Sequence, residues 1–415
     1  MMRWRRGEPA VPNKAGRVPE TQAGSPAADS VGAVIVGGDY RGLGAVRSLG
    51  RRGVPVWVLT DEHQVAALSR YVQRRLPWPD AGDEVRVEFL CRLATFEGLA
   101  GWVLLPTGDE AAAFIARNRL ALGEHYRLTT PPWEMLRWAY DKRLTYELAA
   151  EAGVPCPWTR YPGSRDALAD LDCTFPILLK PAYKQSVNEF THAKAWQVED
   201  HRALLRRYDD ACRLVDPDVI MLQELIPGGG EAQFSYAALC KDGQPLASIT
   251  ARRTRQYPLD FGQASTYVET ITALEVERLS RRLLAALKYD GLVEVEFKYD
   301  RRDGCYKLLD LNPRIWGWHT LGERAGVDFT YLQWQLARGE EVPELRARPG
   351  VHWVRMATDV LAVAQMLWRG QITPVGYLRS MRAPLELAIL ALDDPRPGLV
   401  DPLLLLRVRF RRRRK

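Results

Sequence analysis

Residues 291–318, GLVEVEFKYDRRDGCYKLLDLNPRIWGW, constrain the fold more than any other stretch of the chain. From Leu292 to Tyr299, charged residues (Glu294, Glu296, Lys298) alternate with apolar ones (Val293, Val295, Phe297, Tyr299). That is the period of a half-buried strand. Asp300–Gly304 supplies turn chemistry, and a second strand runs from Cys305 to Leu311. Pro313 ends it, because proline cannot donate to a strand ladder. A five-residue turn makes Tyr299 oppose Cys305. Glu296 then shares a face with Leu308, Asp310 and Asn312, with Asp310 diagonal to it at roughly 7–8 Å between backbones. Two carboxylates so placed suit a hard cation such as magnesium, which takes one or two carboxylates plus substrate phosphates. Asn312 and Arg314 add an amide oxygen and a guanidinium just beyond.

At 415 residues, two to four structural units are expected. Hydrophobic residues make up 47% and charged residues 26%, which suits a soluble globular chain with ample core. No apolar run is long enough for a transmembrane helix. The net charge of +7 is concentrated at the ends: Arg3, Arg5 and Arg6, then Arg407, Arg409, Arg411–Arg414 and Lys415. The body is near neutral, which argues against nucleic acid as a partner. The basic end following Leu403–Leu406 suits contact with an anionic membrane surface. Six scattered cysteines without ligand spacing read as free thiols of a reducing, cytoplasmic setting. The six histidines are unclustered, so zinc has no support.

Residues 1–30 lack periodicity and read as a disordered tail. Residues 31–60 read strand, glycine turn, helix, strand, with Gly37, Gly38, Gly42 and Gly44 at the crossing and Asp61 after the second strand. A dinucleotide site is one reading of such a turn, although the spacing is not G-x-G-x-x-G. A second turn, Leu104–Glu110, leads into a helix over 111–122, with Thr107 or Asp109 as its cap or facing substrate. Asp141 precedes a helix from Lys142 to Ala152, stopped by Gly153 and Pro155. Lys142 sits in its first turn, where a cation opposes the helix dipole unless it meets an anion. The short apolar strand 175–181 ends in Lys180-Pro181. The strand Asp218–Leu222 leads into Gln223-Glu224-Leu225-Ile226, then three glycines and Glu231. A second hairpin over 231–252 is followed by Arg252, Arg253 and Arg255, whose guanidinium groups suit phosphate or carboxylate oxygens. Residues 351–415 read as helices.

Glu296, Asp310, Asn312 and Arg314 resemble the metal-binding end of the ATP-grasp superfamily, whose pattern is an acid, a dozen or so residues, then Glu-x-Asn-x-Arg. Asp310 stands where the family usually has glutamate. The chain looks like a member of its carboxylate–amine ligases, and is similar to predicted carboligases whose polar loop ends in Lys-Ala-Trp, here 194–196. The resemblance implies an α/β ATP-grasp fold. It places a Rossmann-like domain over 31–130, an ATP-grasp domain over 131–340 with its ATP-binding subdomain near 155–225, and a helical extension over 341–415. It implies Lys142 and Lys180 as ATP lysines, Gln223, Glu224, Leu225 and Ile226 along adenine, and Glu231 on the ribose hydroxyls. Glu296, Asp310 and Asn312 are implied as ligands of Mg²⁺, one ion or two, with Mn²⁺ as a substitute. Arg314 and Arg252 are implied at the reacting phosphoryl group or the substrate carboxylate. Arg41 and Ser48 fall near the acceptor substrate. The loop 182–196 lacks the family's glycines, so Lys184, Ser186, Asn188, Thr191 and Lys194 would contact phosphate through side chains. The implied reaction joins a small carboxylate to an amine through an acyl phosphate. The alternatives are a non-catalytic ATP-binding module and an NAD(P) oxidoreductase, the latter leaving the paired acids without a role.

Overall fold

The computed structural model describes residues 31–412 except 61–62, 170, 184–187, 194 and 260–263, with side chains described as far as Leu405. The tail 1–30, Asp61, Lys184, Ser186, Lys194 and Arg413–Lys415 therefore lie outside the described residues. The described residues form one compact unit carrying three sheets.

The first sheet is parallel, in the order β3-β2-β1-β4-β5. Its strands are β1 (Ala33–Val36), β2 (Val56–Thr60), β3 (Val72–Pro77), β4 (Val103–Pro106) and β5 (Arg127–Leu128). Strands β1, β2 and β4 are buried along their whole length, as expected when helices cover both faces of a parallel sheet. Gly37 follows β1 at φ +130°, a backbone conformation that favours glycine. A Cβ there would meet the Thr107 hydroxyl at 2.0 Å. Asp39 caps the helix Tyr40–Gly50, accepting the N–H groups of Arg41 and Gly42 at 2.9 and 3.3 Å. The helix expected over 111–122 is two helices, Asp109–Arg117 and Arg119–Gly123. Gly108, not a side chain, occupies the first cap, and the Thr107 hydroxyl donates to the Val36 carbonyl at 3.3 Å.

The second sheet is antiparallel, in the order β6-β9-β7-β8. It comprises β6 (Thr159–Arg160), β7 (Ile177–Pro181), β8 (Trp196–Val198) and β9 (Ile220–Glu224). Its apolar face packs Ile177, Leu179 and Leu222 on Phe190, Leu204 and Tyr208 of two helices. Asn188 and Thr191 bond each other across one helical turn, at 3.0 and 2.9 Å.

The third sheet has eight strands: β10 (Gln233–Lys241), β11 (Gln244–Tyr257), β12 (Ala264–Thr270), β13 (Gly291–Asp300), β14 (Cys305–Asn312), β15 (Leu345–Arg346), β16 (His352–Val354) and β17 (Leu385–Leu387). The order is β14-β13-β10-β11-β12-β16-β17, with β15 beside β11. The C-terminal segment is thus not all helix. Three short strands from 345–387 enter this sheet, between and beside the helices Met356–Trp368, Pro374–Ser380 and Pro395–Arg412. Arg255 of β11 and Asp359 of the helix Met356–Trp368 form a bidentate pair, 2.8 Å at each contact and almost fully buried. Arg255 also lies over the Tyr267 ring at 3.9 Å.

The β13–β14 hairpin departs from the simple pairing. Its turn has four residues, because Asp300, not Tyr299, opposes Cys305. The register then shifts between Phe297, which opposes Leu308, and Glu296, which opposes Asp310. Leu309 is the extra residue of a β-bulge. Asp310 consequently lies directly across from Glu296 instead of diagonally, and Asn312 lies across from Glu294.

Candidate functional site

The bulge is held from outside the hairpin. Tyr146, on the helix Lys142–Glu151, donates its hydroxyl to the Leu309 carbonyl at 3.0 Å. The Leu308 N–H donates to the Pro155 carbonyl at 2.8 Å. The same Tyr146 hydroxyl accepts from the Gln223 amide at 2.9 Å, and Gln223 accepts from Lys180 Nζ at 2.7 Å. One tyrosine therefore couples Asp310 to the end of β7. Tyr146→Phe is expected to cost about 1–3 kcal/mol, because the buried Gln223 amide loses an acceptor. A lowered denaturation midpoint checks this.

Around the paired acids lie three cations. Lys142 Nζ donates to Asp310 Oδ1. Arg253 Nη2 is 3.5 Å from Glu296 Oε2. Arg314 donates to Asn312 Oδ1 at 3.0 Å and to Asp109 Oδ1 at 2.7 Å, so it ties the hairpin to the parallel-sheet domain. The Asn312 amide donates to Glu296 at 3.0 Å and to Glu294 at 3.2 Å. These groups line one cleft of about 1140 Å³, together with Lys180, Asp39, Arg41 and Asp109. The parallel sheet contributes the loops that follow β1 and β4. Ligands of open parallel sheets bind at such carboxyl ends.

Several side chains fall elsewhere. Arg252 pairs with Glu269 on β12 and does not line the cleft. Arg253 does, because successive strand residues point to opposite faces. Ser48 donates to Asp328 at 2.7 Å, inside the helix packing and outside the cleft lining. Gln223 is buried toward Lys180, whereas Glu224 joins Lys307 and Arg302 at 2.9 and 2.6 Å. Gln223, Glu224, Leu225, Ile226 and Glu231 do not line this cleft, and Glu231 accepts the Gly229 N–H at 2.9 Å. Of the phosphate-loop residues with described positions, Thr191 lines the cleft and Asn188 does not.

Glu294 has no role in the sequence reading, yet it is buried in the cleft wall between Asn312 and the Trp318 indole N–H, which donates to it at 2.9 Å. Burial, then the Glu296 carboxylate, holds its pKa well above the usual carboxylate range. Its place two residues before Glu296 was the available signal.

Among the described residues, no group of three His, Cys, Asp or Glu side chains is arranged to hold a metal ion. The set here is two carboxylates and an amide. That donor chemistry fits an ion that keeps water and substrate oxygens as its other ligands.

Comparisons with known proteins bear on the fold that carries this cleft. Residues 217–360 match the family described as ATP-grasp in the biosynthetic pathway with Ter operon. Solved structures with the same architecture include L-amino acid ligase from Bacillus licheniformis, with a TM-score of 0.60, 17% identity and 78% of each chain covered. Biotin carboxylase from Campylobacter jejuni has a TM-score of 0.62 at 14% identity, over 78% of this chain and 74% of that one. N5-carboxyaminoimidazole ribonucleotide synthetase has 0.61 at 14% identity, over 82% and 85%. The chain thus has the ATP-grasp fold, and residues 217–360 match an ATP-grasp family. The chain is also 24% identical over 250 residues to D-aspartate ligase from Enterococcus faecium (strain Aus0004), which is 56% of the chain and 58% of that protein. It thus spans little more than half the length of that curated relative.

Proposed function

We propose that this chain is an ATP-dependent carboxylate–amine ligase that forms an amide bond and releases ADP and phosphate. The observation that carries the reading is the Glu296–Asp310 cross-strand pair, with Lys142 and Arg253 on it and Arg314 beside it on Asn312, all in one cleft. Phosphoryl transfer needs positioning and charge neutralisation more than a covalent nucleophile, and this set supplies both. The printed names of the relatives, D-aspartate ligase and L-amino acid ligase, support small amino-acid-like carboxylates and amines as substrates.

Glu296, Asp310 and Asn312 would hold Mg²⁺, one ion or two, or Mn²⁺ in its place. Bound there, the metal would offset the charge of the β- and γ-phosphates. Lys142 and Lys180 would hold the nucleotide phosphates, with Gln223–Ile226 along the adenine and Glu231 at the ribose. Arg253 and Arg314 would face the oxygens that gain charge as the γ-phosphoryl group passes to the substrate carboxylate. The amine then attacks the acyl carbon, phosphate leaves, and a proton is lost from the nitrogen. Arg41 lines the cleft on the parallel-sheet side and suits the acceptor carboxylate. Six free cysteines support a reducing, cytoplasmic compartment.

The test is ADP release with Mg·ATP against amino acids offered singly and in pairs. Turnover that needs one acid or one pair is expected, and absence of ATP binding overturns the reading. Within it, Arg253→Met is expected to lower kcat about a hundredfold. Arg252→Met is expected to stay within about fivefold of wild type, since its partner Glu269 is outside the cleft. Equal losses would place the working guanidinium on the other strand face.

A further inference from the structure

The helix Met356–Trp368 is amphipathic in the unusual sense. Its inner face carries the buried Asp359 with Ala362 and Val363. Its outer face presents Val360, Leu361, Leu367 and Trp368 to solvent, and Trp368 is 87% exposed. These positions recur at i, i+1, i+7 and i+8, one continuous stripe. The next helix, Pro374–Ser380, adds Val375 and Leu378, each 63% exposed. A stable monomer in water gains nothing from such a stripe, and contiguous exposed apolar surface marks an interaction site.

The charges around the stripe say what covers it. From Val360 to Leu385 there is no aspartate or glutamate, while Arg369, Arg379 and Arg382 are present and exposed. An apolar face with tryptophan, whose own segment 360–385 is charged only by arginine, matches the boundary between acyl chains and anionic headgroups. A protein partner would leave the acid-free segment without a cause. No helix among the described residues is long and apolar enough to cross a membrane, so the contact is peripheral.

We infer that the outer face of residues 360–382 docks this protein on an anionic lipid surface. Flotation of the full chain with vesicles of phosphatidylcholine alone, or mixed with phosphatidylglycerol, tests this. Binding is expected only to the mixed vesicles and is expected to weaken with salt. Leu361→Ser/Leu367→Ser/Trp368→Ser should abolish it without changing the circular dichroism spectrum, because these side chains contribute little to the core. Arg379→Gln/Arg382→Gln should weaken it about thirtyfold, at about a factor of five for each arginine. Failure to float with either vesicle overturns the inference. So does self-association in solution that the three serines abolish, which would assign the face to a second copy. Loss of binding on removing residues 407–415 alone, with the serine variant still bound, would assign it to the basic end.

Discussion

Glu296→Gln is expected to lower ADP release by at least about a thousandfold, roughly 4 kcal/mol on the barrier. The change keeps the shape of the side chain and removes one of two carboxylates that face each other across β13 and β14. It would remove one charge from the proposed metal-holding set, and it leaves Arg253 without the carboxylate it pairs with. The same change should not lower the thermal midpoint. Glu296 is one of the causes that push the buried Glu294 carboxyl upward, so neutralising it relieves repulsion. Lost activity with an unchanged or raised midpoint separates a reaction role from a packing role. A lowered midpoint with proportionate loss of activity would mean that Glu296 only holds the hairpin.

Asp359→Ala should destabilise the fold by about 3–5 kcal/mol, the usual penalty for leaving a buried charge unpaired. Arg255 is 3% exposed, and Asp359 also accepts the Thr266 hydroxyl at 2.9 Å. Denaturant titration measures the loss. Arg255→Met/Asp359→Leu should recover most of it, since an apolar pair of similar volume replaces both charges. The substitution has a second consequence. The β11–β12 register shifts on either side of Arg255, and Arg253 faces the cleft two residues earlier. Loosening Arg255 is expected to lower kcat in the single mutant and to restore it in the double.

The hairpin and its acids were legible because strand alternation and turn chemistry are local. Lys142 was legible because a lysine in the first turn of a helix needs an anion nearby, and it meets Asp310; Lys180 was placed by the family resemblance, and its amine meets the Gln223 amide oxygen. The bulge at Leu309 was not legible, since the groups that hold it, Tyr146 and Pro155, come from far away in sequence. The choice between Arg252 and Arg253 depended on one residue of register, and a slip of one exchanges the faces. Strands β15 to β17 are two or three residues long and take their shape from the edge they join. Glu294 was hidden by its company: in an alternating strand, a third acid reads as solvent-facing until a tryptophan indole is found against it.

The bulge also uncouples the two ends of the hairpin. Pairing near the turn and pairing near the acids follow different registers, and the phase at the acid end is fixed by the Tyr146 hydroxyl and the Pro155 carbonyl. Lengthening or shortening the turn 301–304 would therefore leave Glu296 facing Asp310. The number of residues between the two acids is accordingly a poor signature for sites of this kind. Relatives with the same chemistry can differ freely in that number, provided that the contact which sets the phase is kept.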